Sequence, residues 1–211
     1  MHKKALLFIT LVALVVVMAG AALVVRNQFY GSAVHEESDL YVSSRCDYAA
    51  LRDTLARHIG HRWAFDRYAS RLGLGRSFKP GRYLLRPGMN VIEVARMLKL
   101  GEQTPVRITF NNVRTPAQLA GKLGRQFDAD SASFAQVLTS DSLARTLGFD
   151  SVTLFSMFIP NTYEFYWTAS PQEFVTRMKR EYDRFWAAGR DEKRDRSGLS
   201  RLEVMTLASI V

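Results

Sequence analysis

Cysteine and histidine are scarce in this sequence, and their scarcity excludes several kinds of site. Cys46 is the single cysteine in 211 residues, which rules out an intramolecular disulfide and a thiolate-rich metal site. Among the four histidines, His58 and His61 are three residues apart but lie on either side of Gly60. No glycine-rich stretch matches a phosphate-binding fingerprint. We therefore predict no metal ion and no cofactor, and we interpret Cys46 as a free thiol at a helix start.

Acidic residues are outnumbered by basic ones. The chain has 29 Lys and Arg against 20 Asp and Glu, a formal net charge of +9. Such a balance suits nucleic acid, anionic lipid or an acidic polymer such as a cell-wall glycan. Nucleic acid is disfavoured, because the arginines are spread along the chain and no basic cluster has interleaved aromatic residues.

One long hydrophobic run lies at the N-terminus. Residues 5–25 are apolar apart from one threonine, and at about 1.5 Å per residue such a run spans roughly 30 Å, a bilayer core. Two lysines precede it, so residues 1–4 are predicted to stay in the cytoplasm and the chain after Arg26 to lie outside. A cleaved signal peptide is the alternative, since Ala19-Gly20-Ala21 has the small-residue cleavage pattern. The run is longer than a signal peptide's apolar region of about 7–15 residues, which favours an uncleaved anchor.

The rest of the sequence changes character near residue 110. We predict a polar tether over residues 26–38, then a small α/β subdomain over 39–110 with strand, two helices, strand, helix and strand. Its predicted strands are Leu40–Val42, Arg82–Leu85 and Thr104–Phe110. Strand-helix-helix-strand is the plan of LysM-type glycan-binding modules. Residues 111–211 are predicted to be mostly helical, so the fold class is α+β with a single N-terminal transmembrane helix.

Capping signals place the helices of the second part. Thr115-Pro116 and Ser170-Pro171 have the favoured cap-plus-proline form, and Ser200 with Glu203 forms a capping box. Residues 190–196 are charged and are predicted to form a loop. The last helix ends inside an apolar run that lacks partners, from which we interpret the sequence as a fragment of a longer protein.

Lys79-Pro80-Gly81-Arg82-Tyr83, followed by Gly101 and the Val106–Phe110 strand, is similar to an early segment of the YceG-like (MltG) family of envelope proteins. Asn112-Val113-Arg114-Thr115 resembles the next segment. Phe158-Ile159-Pro160-Asn161-Thr162-Tyr163 resembles the motif F-x-P-[DN]-T-Y, and Leu207-Ala208-Ser209-Ile210-Val211 resembles the helix L-A-S-I-V-E without its last letter. The last two motifs, in order and about 45 residues apart, are the specific part.

The resemblance implies an endolytic peptidoglycan lytic transglycosylase in the bacterial inner membrane, with a LysM-like subdomain before its catalytic domain. It would cut MurNAc-β-1,4-GlcNAc bonds in nascent glycan strands and leave 1,6-anhydroMurNAc ends, beside peptidoglycan synthases. The family's single catalytic glutamate would directly follow Val211, so no catalytic residue is assigned within the chain, which we expect to be inactive by itself. The alternative is a non-catalytic, membrane-anchored glycan-binding scaffold.

The substrate cleft is predicted from the same motifs. Pro160, Asn161 and Thr162 could line it with hydrogen-bonding groups, and Tyr163 could offer its ring to a sugar. The alternative is a purely structural role, in which these residues form a tight turn, their polar groups bond their own backbone, and the tyrosine lies in the core. Ser209 is expected to bond the acid or the sugar, or else only to permit close helix packing.

Glu164 is the tempting local acid, but the family does not put its acid there.

Overall fold

The computed structural model describes residues 2–109 and 113–210. The chain forms two compact units, unit 1 up to Thr104 and unit 2 from Pro105 onward. The elements of unit 1 are α1 (His2–Tyr30), β1 (Ser38–Val42), α2 (Tyr48–Leu55), α3 (Arg62–Leu72), a 3-10 turn (Leu74–Arg76), β2 (Gly81–Leu85) and α4 (Val91–Leu100). Those of unit 2 are β3 (Val106–Thr109), α5 (Pro116–Leu123), α6 (Ser131–Leu138), α7 (Asp141–Thr146), a 3-10 helix (Thr153–Met157), β4 (Thr162–Phe165), α8 (Pro171–Ala187), α9 (Arg190–Ser197) and α10 (Arg201–Ile210). The predicted α+β class is confirmed.

Helix α1 carries the hydrophobic run. Among the described residues it is the one helix long and apolar enough to cross a membrane, with a candidate span at Leu11–Tyr30. Its apolar side chains from Leu11 to Val25 are exposed along the helix, as expected of a helix whose surroundings are lipid.

Unit 1 is built on an antiparallel pair of strands. β1 pairs with β2, with Leu40 opposite Tyr83 and Val42 opposite Gly81. Alternate residues point to one face, so Leu40, Val42, Tyr83 and Leu85 are buried against α2, α3 and α4. The predicted strand-helix-helix-strand order is confirmed; the glycan-binding role attached to it stays a prediction.

Local signals fix the helix ends of unit 1. The Asp47 side chain accepts from Ala50 N at 2.8 Å, and Asn90 accepts from Glu93 N at 3.0 Å while Glu93 accepts from Asn90 N at 2.8 Å. Each cap satisfies amide groups that the first helical turn leaves free, worth about 1 kcal/mol. Gly101 ends α4 at φ +77°, a conformation that favours glycine. Asp47 and Asn90 therefore set the starts of α2 and α4.

Two expectations for unit 1 are wrong. The predicted polar tether over 26–38 is not free chain: residues 26–30 continue α1, and Ala33 and Val34 are fully buried. The sequence places Trp63 among the apolar positions of a helix, but its side chain is 60% exposed. It lies beside Phe29 of α1, while the inward positions of α3 are taken by smaller residues and Phe65.

Unit 2 packs helices around an aromatic centre and a second two-stranded sheet. β3 pairs antiparallel with β4, with Ile108 opposite Tyr163 and Thr109 opposite Thr162. Helix α8 buries one stripe of residues at helical spacing: Phe174, Met178, Tyr182 and Trp186. The cap-plus-proline starts at Thr115 and Ser170 are confirmed.

Unit 2 also corrects two expectations. Strand β3 was assigned to the first folded part, but it pairs with β4 and belongs to unit 2. Residues 190–196 were predicted to be a loop, but they form α9, where the Arg194 guanidinium lies 3.5 Å from Asp191 one turn earlier. Phe110 and the predicted domain boundary after it lie outside the described residues, as does Asn112.

Candidate functional site

The outer face of the β3–β4 sheet displays the predicted cleft motif. Side chains alternate across a strand, so Ile108 and Tyr163 point into the core while Thr109 and Thr162 are exposed. The two threonine hydroxyls are 2.8 Å apart. Beside them, Arg107 Nε lies 3.7 Å from Glu164 Oε1, with both side chains more than 60% exposed. The sheet therefore presents two hydroxyls and an ion pair to solvent.

The turn before β4 is exposed and holds itself together. Asn161 Oδ1 accepts a 2.7 Å hydrogen bond from the backbone N–H of Thr162, which is the local bonding expected of a tight turn. Pro160, Asn161 and Thr162 are all exposed. Asn161 and Thr162 thus both offer exposed polar side chains.

Tyr163 occupies a different place from its three predecessors. It is 9% exposed, and its hydroxyl donates to the carbonyl of Ile159 at 2.8 Å. Burial, with a smaller contribution from Glu181, raises the pKa of the phenol, so the group stays neutral. Tyr163 is placed to fix the turn, and its predicted contact with sugar stays a prediction.

A shallow groove borders the end of β4. Its volume is about 600 Å³, and its lining includes Glu164, Tyr166, Arg177 and Arg180. Tyr166 is 58% exposed. An exposed aromatic ring can pack against a sugar. Guanidinium groups in the same groove can bind carboxylates that the sugar carries. Sequence reasoning missed Arg107, Thr109 and this tyrosine, although the polar–apolar alternation of β3 gave a signal for the first two.

Helix α10 carries the second motif. Val204 and Met205 pack against the core of unit 2, whereas Leu207 and Ile210 are 53% and 76% exposed. Ser209 is exposed, and its hydroxyl donates to Thr206 O at 2.7 Å. Ser209 therefore lies on a different element from the Pro160–Thr162 turn, and its bonding here is local.

Arg201 holds the start of α10 to two other helices. Its guanidinium binds the Asp191 carboxylate of α9 through two nitrogens, one at 2.8 Å. The same group lies 5.9 Å from the Tyr182 ring and 5.6 Å from the Trp186 ring of α8, within the reach of a cation–π contact. This side chain thus ties the helix that carries the L-A-S-I-V motif to α8 and α9.

Acid should loosen α10. Hydrogen bonds from Ser200 lower the pKa of Glu203, and the Arg201 hydrogen bond lowers the pKa of Asp191. Both folded values are depressed, so this stability is present above the unfolded values, about 4.3 and 3.9, and is lost as pH falls through the folded ones. Amide exchange in α10, corrected for pH, should rise relative to α8 between about pH 6 and pH 3. Asp191→Asn should show faster exchange already at pH 6 and a smaller acid response; equal responses in both proteins would contradict this.

The family is decided by comparison with known proteins. The YceG-like family model matches residues 40–211, which include the outer face of the β3–β4 sheet, the turn and α10. The chain belongs to the YceG-like family. The confirmed membership covers both motifs on which the resemblance was based.

Among solved structures, the YceG-like chain is similar to a yceG-like protein from Listeria monocytogenes. The two share 17% identity with a TM-score of 0.41, over 77% of this chain and 59% of the Listeria chain. The YceG-like chain therefore spans less than two thirds of that relative. No curated protein matches the sequence.

Proposed function

We propose that the YceG-like chain is part of a membrane-anchored, endolytic peptidoglycan lytic transglycosylase. It would cut the MurNAc-β-1,4-GlcNAc bond within nascent glycan strands and leave 1,6-anhydroMurNAc ends. The observation that carries the proposal is the family match over residues 40–211, which contains both motifs. The candidate span in α1 supports anchoring in the inner membrane, with the remainder on the outer side.

The chemistry requires one carboxylic acid. A hydrolase usually needs two carboxyl groups, because one protonates the leaving oxygen while the other attacks carbon or activates water. A lytic transglycosylase uses the 6-hydroxyl of MurNAc as the nucleophile instead. One acid first protonates the departing oxygen and then, as a carboxylate, accepts the proton of that hydroxyl.

The family resemblance puts this acid directly after Val211, at the end of α10. The preceding residues Leu207, Ala208 and Ile210 are uncharged and apolar. Apolar surroundings penalise the ionised form and raise the pKa of a carboxyl group. A raised pKa is what a general acid needs in order to enter the reaction protonated near neutral pH.

Substrate contacts are proposed for the exposed groups of the β3–β4 face. The Thr162 hydroxyl and the Asn161 amide can bond the hydroxyl and acetamido groups of the glycan. In the neighbouring groove, Tyr166 offers a ring and Arg180 a cation for the carboxylates of the muramyl and peptide groups. Peptidoglycan strands are thus the proposed substrate. Peptidoglycan synthases are the proposed partners, and cross-linking in membranes followed by affinity capture would test that association.

The test of the reaction uses the full-length protein and uncrosslinked glycan strands. Mass spectrometry should find new 1,6-anhydro ends, and replacing the acid expected after Val211 by glutamine should abolish them. Reducing ends formed with water would overturn the lytic mechanism. Strands that bind but stay intact would favour the scaffold function.

Thr162→Val tests the substrate-binding face. Losing one hydrogen bond to the glycan should lower kcat/KM of the full-length protein about tenfold. Thr146→Val is the matched control, because Thr146 is also exposed and bonds only within its own helix, at 2.9 Å to Ser142 O. If the Thr109–Thr162 pair is only structural, Thr109→Val and Thr162→Val will lower Tm equally and leave kcat/KM unchanged.

A further inference from the structure

The outer end of α1 is fastened to unit 1. The Phe29 ring packs edge-on against Trp63 of α3, with ring centroids 5.8 Å apart. Just beyond the helix, the N–H groups of Ala33 and Val34 donate to Met89 O at 2.8 and 3.1 Å, and Gly60 N donates to Ala33 O at 2.7 Å. The α2–α3 turn and the turn before α4 therefore both lie at the end of α1.

Helix geometry sets the depth of Trp63. Arg26, Asn27 and Gln28 are the first polar residues after the hydrophobic run, so the hydrocarbon core ends near Val25. Phe29 is about 6 Å further along the helix axis, and the headgroup layer on each side of a bilayer is about 5–8 Å thick. A side chain packed on Phe29 consequently lies at the level of the lipid headgroups.

The residues at this level have the chemistry of an interface. Tyr30 and Trp63 are 69% and 60% exposed. Tyr and Trp side chains are enriched at the interface between a bilayer and water. Arg62 is the first residue of α3 and Arg86 lies in the turn before α4, and both are exposed. Basic side chains near a surface are attracted to anionic headgroups. Of the neighbouring acids, Glu93 is held in the Asn90 capping box.

Asp53 and Asp66 line the same groove as Arg62, and Arg52 binds Asp66. Glu36 and Glu37 are exposed after the fastened segment and offset part of the positive charge. The aromatic side chains, and not the net charge, therefore dominate the contact with lipid.

We propose that Tyr30, Arg62, Trp63 and Arg86 form a membrane-docking face that rests unit 1 on the headgroups of the outer leaflet. The proposal rests on the proposed anchoring by α1, and it assigns a lipid surface to residues that the transglycosylase reaction does not use. The indole of Trp63 enters the interface, and Arg86 and Arg62 bind lipid phosphates. The α2–α3 side of unit 1 then faces the bilayer.

The test measures lipid contact at Trp63. The full-length protein is reconstituted into phosphatidylethanolamine–phosphatidylglycerol vesicles with phospholipid brominated near the top of its acyl chains, which quenches tryptophan at short range. Emission from Trp63 is isolated by subtracting the Trp63→Phe variant, which keeps an aromatic ring against Phe29. Trp167→Phe in unit 2 is the matched control. We expect bromolipid to quench the Trp63 component at least twofold and the Trp167 component much less.

Vesicle flotation separates the two ways in which the proposal can fail. Protein that does not float with the vesicles overturns the anchoring and the docking face together. Protein that floats with an unquenched Trp63 overturns the docking face alone. A Trp63 component that responds to uncrosslinked glycan and not to bromolipid makes Trp63 a sugar platform and likewise overturns the lipid assignment.

Discussion

Replacing Phe174 by alanine should lower the free energy of unfolding of unit 2 by about 3–5 kcal/mol, the usual cost of deleting a buried aromatic ring. Phe174 is fully buried in the middle of the aromatic centre. Its ring centroid is 5.1 Å from that of Phe165, 5.8 Å from Phe134 and 6.0 Å from Phe158. Phe165 ends β4 and Phe158 precedes the Pro160–Asn161 turn, so the cavity would also loosen the proposed substrate face.

Urea unfolding followed by circular dichroism measures this loss. Tyr166→Ala is the matched control, because it removes an aromatic ring that is 58% exposed and should change stability by less than about 0.5 kcal/mol. A loss below about 1 kcal/mol for Phe174→Ala would show that the neighbouring rings refill the space and that this centre does not hold unit 2 together.

Arg201→Met should lower the proposed transglycosylase activity of the full-length protein about 10- to 100-fold. Methionine keeps much of the apolar stem but removes the paired bonds to Asp191 and the cation over Tyr182 and Trp186. Helix α10 then loses its fixed position, and a misplacement of about 1 Å at the reacting centre can cost about 100-fold in rate. The loss should appear mainly in kcat, since the proposed glycan contacts lie on other elements.

Two further variants separate position from charge. Arg201→Lys keeps the charge without the planar fork and should fall between the wild type and Arg201→Met. Arg184→Met removes an arginine that is 72% exposed and ion-paired with Glu181 on the same helix, which should change activity little. If Arg201→Met retains full activity with unchanged amide exchange in α10, the anchoring role of Arg201 is wrong.

Local chemistry explains why much of the fold was predictable. The starts of α2, α4, α5 and α8 are set by a side chain bonding amide groups two or three residues away, which sequence shows directly. The β1–β2 strands alternate buried and exposed residues over a short stretch. Such features do not depend on the rest of the chain.

The errors arose where distant residues decide. Helix α9 has no buried residue, so its sequence pattern resembles a solvated loop; in the fold, Asp191 is bound by Arg201 of the next helix. Trp63 is an apolar residue whose exposed side chain lies against Phe29 of α1, more than thirty positions earlier, and no local pattern reports that contact. The Thr109–Thr162 hydroxyl pair joins residues 53 positions apart, and no local pattern reports such a pairing.

The candidate site was predictable only in part, for the same reason. The motif identified the Pro160–Thr162 turn, and the structure exposes it. Sequence alone could not separate exposed Thr162 from buried Tyr163, because that depends on the register of β4 against β3. The groove beside Tyr166 forms only when β4 and α8 are brought together.

The backbone bonds that join Ala33 and Val34 to Met89 and Gly60 leave no spare chain between α1 and unit 1. With α1 in the bilayer as proposed, unit 1 cannot move far from the lipid, and its distance from the membrane surface stays nearly constant. Glycan in the outer layers of the wall, the proposed substrate class, would then be beyond unit 1, whereas strands leaving a proposed partner synthase in the same membrane would pass beside it. A few short hydrogen bonds would thus restrict the proposed activity to nascent glycan strands, and the protein would not need to distinguish nascent from older strands by their chemistry.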